Sequence, residues 1–542
     1  MLSWLKKHKS WVLIITGSAV WSATMVKSGW VYSYGMGFWG PNGHDGIWHL
    51  AIINSLSQFR WDMPIFAGEL LKNYHLGFDL FLAIIHKLTS IPISNLYFQI
   101  SPPIFALAIG WLTYKLVLAW KQSESAALWA VFFTYFGGSL GWVLGKGEST
   151  FWSQQAISTL INPPFALSLV LLLLGLLLLL RRRLFLAILV FAVLPQIKIY
   201  GGLLAFGGLL IAGLKDRSLL KVLLISAALY FLSSYKLLTT GSSLLVWQPG
   251  WYLETMMSYS DRIGWTKFYS AMTNYRLGEQ WPKAILAYGV AFGIFWVGNM
   301  GTRLIAIKRI KRLSELSWEE IFMATVIVAG IVIPMFFLQR GTPWNTIQFF
   351  YYSLFFSGIL AGIVMSQIKN NFTKIIIILL TIPTVFGTLK HYLPARPPAK
   401  LSHEELEALS FLSRQPRGVV LTYPFDKSAA DAAIPTPPRP LALYESTAYV
   451  AAFSGQPVYL EDEVNLNITG YDWPSRRRQV LDFFASSDLA SAKSFLDANS
   501  IKYLYLWDVD VARPGFSDTQ LGLRNVFENS QVAIWAKTSP QP

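Results

Sequence analysis

Cysteine is absent from all 542 residues, which excludes disulfides, thiolate metal ligands and cysteine nucleophiles together. Charge is scarce as well: 14% of residues are Asp, Glu, Lys or Arg, fewer than the surface of a soluble protein of this size carries. Acids are the scarcer sign, 30 against 45 Lys+Arg, and histidine occurs only seven times. What fills the chain is apolar, with 53% hydrophobic residues and a mean hydropathy of +0.42. That composition is a polytopic membrane protein's. The basic excess does not point to nucleic acid, because Lys and Arg stand in short runs between apolar stretches, where cytoplasmic loops carry them.

A spanning helix takes about 20 apolar residues. Such stretches lie near 10–28, 96–120, 125–145, 164–180, 184–214, 219–237, 283–300, 319–338, 347–366 and 374–391. The opening lysines precede no small-x-small cleavage site, so the first stretch reads as an uncleaved helix with its amino end inside. The basic flanks, such as Arg181-Arg182-Arg183, set the remaining orientations. Between the outer end of the first helix and that inside arginine run lie four apolar segments, one more than parity allows. The shortest, 74–89, carries His75, Asp79, His86 and Lys87, polar groups that lipid does not accept at mid-depth. It is therefore expected not to span, leaving one large external loop over about 29–100 with helices near 44–58 and 74–89. Pro195 divides 184–214 into two half-length helices with Lys198 at the break. About 11 spans result, and the odd number places the C-terminus outside.

Past the proline-rich stretch Leu393 to Pro398 the apolar runs stop. Ser402-His403-Glu404-Glu405 is a capping box that opens a helix to about Arg414. A strand is expected over 418–423, helices over 475–486 and 488–499, and buried strands over 501–507 and 532–536. The expected architecture is thus mainly α: a transmembrane module, 1–394, with a small external α/β domain, 395–542. The domain's carboxylates, among them Glu461 to Glu463, are spread over turns, and the domain is expected not to carry chemistry.

The first loop concentrates what the chain otherwise lacks: four acids and three histidines fall between Asn42 and Asp79. An acid at the membrane edge suits general-base work on a hydroxyl, and Asp45 is placed for it, with Gly43 and Gly46 allowing close backbone approach and Trp48 excluding water. Asp45 also precedes apolar residues at helical spacing, so a helix cap is the other reading of the same residue. Lys72, Lys198 and Arg340 are separated cations on the expected outer face, suited to a lipid-linked phosphate or pyrophosphate. His44, His49 and His75 with Asp45 or Glu69 offer ligands to a divalent metal, at no diagnostic spacing.

The order of first helix, external loop with a membrane-edge Asp, the turn Trp61-Asp62-Met63-Pro64, Gly68, the segment Tyr74-His75-Leu76-Gly77 and a C-terminal α/β domain resembles the GT-C superfamily of membrane glycosyltransferases. The layout is most similar to the branch using polyprenyl-phosphate sugars, which includes bacterial lipid A aminoarabinose transferases and protein mannosyltransferases. The resemblance implies an inverting transferase in the cytoplasmic membrane. It would move a sugar from a polyprenyl-phosphate donor to an acceptor hydroxyl on a glycan, lipid or protein, with Asp45 as base and Lys72 at the donor phosphate. His44, His49, Glu69, His75, Asp79 and Glu148 are the further substrate-binding candidates. The chain departs from the family in having His44-Asp45-Gly46 where many members have an Asp-Glu pair, and in having Glu148 as the sole acid of its second loop. The rival readings are a flippase or transporter of lipid-linked glycans, and a non-catalytic assembly partner. A transporter should repeat its broken helices in both halves, and the sequence has one break, at Pro195.

Overall fold

The apolar stretches fold as helices in the computed structural model, which describes residues 8–153, 156–234, 245–309, 315–339, 342–508 and 520–537. Among these, seven helices are long and apolar enough to cross a membrane: Ile93–Lys121, Glu124–Leu144, Pro163–Leu180, Trp281–Arg309, Trp318–Phe336, Pro343–Gln367 and Asn371–Tyr392. Three shorter apolar helices, Leu184–Ile197, Ile199–Ala212 and Ser218–Ser234, accompany them, as does the first helix, Lys9–Ser22. The protein is a mainly α, polytopic integral membrane protein.

Local chemistry sets the helix ends. Asn162 caps Pro163–Leu180 by accepting from the Phe165 amide, with Pro163 at the first helical position, where its missing N–H costs nothing. Pro195 lies inside Leu184–Ile197, and Lys198, extended at φ −154° and ψ 110°, separates that helix from Ile199–Ala212. Each of the two has 14 residues, roughly 21 Å of helix against about 30 Å of hydrocarbon. They are the two half-length helices read from the sequence.

The chain divides into two compact units. One holds the first helix and the stretch from Ser101 to Leu393. Its core includes Tyr252, Phe295, Phe350 and Met256, and a short antiparallel ladder joins Leu245–Trp247 to Phe337–Gln339.

The other unit holds Val26–Ile100 and the chain from Pro394 onward. The first loop, grouped by the sequence reading with the membrane module of 1–394, thus packs with the C-terminal domain. Backbone pairing is the reason. Strand Gly35–Phe38 lies antiparallel to Ala399–Leu401, which runs parallel to Arg439–Pro440, and Val31–Tyr32 completes a four-stranded sheet from both segments. The Ala67 amide donates to the Val458 carbonyl at 2.9 Å, Val458 to Pro64 at 2.7 Å and Glu461 to Ile65 at 3.1 Å. Arg476 stacks on Phe66, 3.5 Å from its centroid. Gly35 is required at its place: with φ +105°, an added Cβ would lie 2.1 Å from the Leu401 carbonyl oxygen.

A second sheet, in the order Val419–Thr422, Ile501–Trp507, Val532–Lys537, Leu523–Glu528, carries the C-terminal core. Helix His403–Ser413 opens on the expected capping box, with both reciprocal bonds made. In the first loop, helices Asp45–Ser57 and Gly77–Thr89 form where periodicity places them. The latter has 13 residues, too few to cross. Its buried side is Phe78, Asp79, Leu82 and Ala83, while Phe81, Ile84 and Leu88 are exposed.

Candidate functional site

Asp45 is the first residue of helix Asp45–Ser57, and His44 precedes it without a side-chain cap bond. A carboxylate in a first turn is favoured by the helix dipole. Trp48 is buried, whereas the Asp45 side chain stays 54% exposed, so the expected desolvation of Asp45 by that ring is not what the structure has. Gly43 and Gly46 serve packing: a Cβ on Gly46 would lie 2.9 Å from the Phe98 ring, and one on Gly43 3.0 Å from Tyr444.

The partner of Asp45 is His44. Its Nδ1 donates to Asp45 Oδ1 at 3.0 Å, its Nε2 lies 3.4 Å from Asp462 Oδ1, and Glu445 Oε2 lies 3.9 Å from Nδ1. Burial works to strip the proton from His44, but Asp462 and Asp45 outweigh it and hold the imidazole well above its usual 6.5. The result is a buried imidazolium between two carboxylates, one fully buried and one facing solvent.

Asp462 is pinned. It has φ +48°, caps helix Glu463–Thr469 and accepts from the Asn465 amide at 3.1 Å and from Asn465 Nδ2 at 2.8 Å. A left-handed conformation is uncommon for a non-glycine residue and persists only where its surroundings over-determine it. Its neighbours are also committed: Glu461 accepts from the Val450 and Ala451 amides at 2.9 and 3.0 Å, and Glu463 pairs with Arg477. Asp462 and Glu445 were missed in the sequence, where Glu461 to Glu463 read as turn acids. Three consecutive acids in so acid-poor a chain were the available signal.

The other candidates separate into groups. His49 Nδ1 and Asp79 Oδ1 are 2.7 Å apart, both residues are buried, and the His49 ring stacks on Tyr97 at 5.5 Å. The pair joins the two loop helices. His75 packs against Tyr74, whose ring meets Trp48 edge-on at 5.3 Å. Lys72 lies over the Tyr471 ring at 4.3 Å, and Glu69 is exposed. In the other unit, Lys198 is buried with Nζ 3.4 Å from Asn162 Oδ1, and the buried Glu148 accepts from the Ser158 amide at 3.0 Å and from its hydroxyl. Arg340 lies outside the described residues. No group of three or more histidine and acidic side chains suited to a metal occurs among the described residues.

The chain is similar to an archaeal oligosaccharyltransferase. Against the Archaeoglobus fulgidus oligosaccharyltransferase tethered to an acceptor peptide containing the NVT sequon, the TM-score is 0.49 at 13% identity, covering 93% of this chain and 69% of that one. Against AglB of the same organism in complex with an inhibitory peptide and a dolichol-phosphate, it is 0.40 at 12% identity, covering 93% and 70%. The apo form of the Archaeoglobus enzyme gives 0.42 at 11% identity. No protein-family model matches the chain, and no curated protein sequence matches it.

Proposed function

We propose that the protein is a membrane glycosyltransferase that moves a sugar from a polyprenyl-phosphate carrier to an acceptor hydroxyl at the outer face of the membrane, with Asp45 as general base. The observation that carries this reading is the exposed Asp45 carboxylate bonded at 3.0 Å to a buried, protonated His44. A positive charge at that distance favours the ionised carboxylate, and the exposure of the side chain lets a hydroxyl approach it. The acceptor O–H gives its proton to Asp45, its oxygen bonds to the anomeric carbon, and the bond from that carbon to the phosphate oxygen breaks, with the electron pair leaving on the phosphate. Attack opposite the leaving group inverts the anomeric centre.

The departing phosphate needs cations. Lys72, which belongs to the same unit as Asp45, is assigned to it. His49 and Asp79 are assigned to holding the loop helices together, and His75 to packing beside Tyr74.

The test is Asp45→Asn. The amide keeps the size of the side chain and accepts a bond from His44, but takes no proton. Transfer should fall by about 10²–10⁴-fold, the usual contribution of a general base, while thermal stability and polyprenyl-phosphate binding stay near wild type. Near-normal turnover in a folded Asp45→Asn protein would end the assignment.

A further inference from the structure

A cleft of about 750 Å³ opens beside the His44 pair, entirely within the unit built from the first loop and the C-terminal domain. Glu445 and Asp462, which approach His44, are in its wall. Four aromatic residues, Tyr423, Phe425, Tyr449 and Trp507, are among those that line it. Among the described residues, five carboxylates line it and no Lys, Arg or His does.

That count alone would suggest a cation site, but four of the five carboxylates are already committed. Asp426 accepts from the Ser428 and Ala429 amides at 2.8 and 3.1 Å. Glu461 caps a helix, Glu463 holds Arg477, and Asp462 faces Asn465 and His44. Glu445 remains, half-exposed, as the acid with lone pairs to offer. Two residues of its wall carry a buried donor without a hydrogen-bond partner among the described residues: the Thr447 hydroxyl, in a residue 5% exposed, and the Trp507 indole N–H. Buried polar atoms are normally satisfied, so a water or a ligand hydroxyl is needed to complete these two. One carboxylate acceptor, two neutral donors and aromatic walls suit an uncharged ring carrying several hydroxyls, which both donate and accept. A phosphate or uronate would meet carboxylates with no cation to offset them among the described lining residues, and an ammonium group would leave both donors unpaired.

We infer that this cleft is a saccharide subsite that binds a neutral sugar ring between Glu445, Thr447 and Trp507, beside Asp45. The subsite deepens the transferase reading and rests on it only for the reaction the sugar undergoes. The test is saturation-transfer NMR on the full chain in nanodiscs, since sugar-headed detergents would compete, with glucose, galactose, mannose, N-acetylglucosamine and cellobiose as neutral probes, glucuronate as anion and dilysine as cation. At least one neutral sugar should receive saturation, and glucuronate and dilysine should not. Thr447→Val, nearly isosteric, and Glu445→Ala should each weaken that sugar by about tenfold, the scale of one lost hydrogen bond to a buried or charged group, and Trp507→Ala should abolish the signal. Asp45→Asn should leave binding unchanged, which separates this subsite from the base assignment. Saturation of none of the neutral sugars, binding of dilysine in their place, or neutral-sugar binding that survives both Thr447→Val and Glu445→Ala would overturn it.

Discussion

Replacing Asp462 by Asn should release the proton that the site holds on His44. The substitution preserves size and retains an oxygen to accept from the Asn465 amide, so the helix cap survives while the charge 3.4 Å from His44 Nε2 is lost. Two unit charges at that separation interact by roughly 5 kcal/mol at an effective dielectric constant of about 20. Removing the desolvation cost of Asp462 itself and allowing relaxation trims the figure. Even a third of it, roughly 1.6 kcal/mol, moves the pKa by more than one unit at ~1.4 kcal/mol per unit. The groups left facing the imidazole are Asp45 and the more distant Glu445. Burial, which lowers the His44 pKa, then gains ground. Selective isotope labelling of the seven histidines, with His44→Gln for assignment, follows the ring directly by NMR. The Asp462→Asn ring should lose its proton at lower pH than the wild-type ring, with transfer falling as the proton leaves. An unchanged His44 titration in a folded Asp462→Asn protein would refute the electrostatic account of the site.

Stability should fall as pH rises from about 5 to 8. Burial pushes Glu461 up to about 8 and Glu405 to about 7, so in the folded state both bind protons that the unfolded chain has released above its ordinary 4.5, and their share of stability diminishes up to the folded values. His44, raised as well, acts in the same sense: its contribution is full below 6.5 and is lost as pH climbs through its folded value. Melting curves at pH 5.5 and 8.5 should show the difference, and Glu461→Gln should shrink it. Gly35→Ala should cost about 1–3 kcal/mol or more from backbone strain alone, together with a clash against the Leu401 carbonyl, and should expose the first loop to proteolysis. Gly68→Ala, at φ +91° but with only Arg476 nearby at 4.0 Å, should be milder. A cysteine placed at Pro92 should be labelled by an impermeant maleimide in intact cells and one at Ser123 should not; the reverse pattern would undo the reading of Gly77–Thr89 as a non-spanning helix.

Features specified within a dozen residues were legible in the sequence. Helix Asp45–Ser57 follows from its apolar spacing, the start of His403–Ser413 from its capping box, and the break at Lys198 from Pro195 three residues earlier. The site was legible only in part. Asp45 and His44 stand out because acids and histidines are rare in this chain, and adjacency makes their pairing readable. Asp462 is not readable, because nothing near it in sequence reports that Val458 and Glu461 bond to the backbone of Pro64 and Ile65. The same long-range pairing explains the domain boundary: hydropathy divides the chain after residue 394, whereas backbone hydrogen bonds tie the first loop to the C-terminal segment.

That pairing also imposes an order on biosynthesis. One edge of strand Gly35–Phe38 and the backbone of Pro64, Ile65 and Ala67 have their partners only after Pro394, with roughly 300 residues of chain in between. At about 5–20 residues per second, the early segment waits roughly 15–60 s after its own synthesis with an unpaired strand edge, an exposed apolar helix face and His44 without its buried counter-charge. Neither half of this unit is complete on the ribosome until nearly the whole chain has been made. The His44–Asp462 pairing that the site depends on is therefore among the last features of the molecule to form.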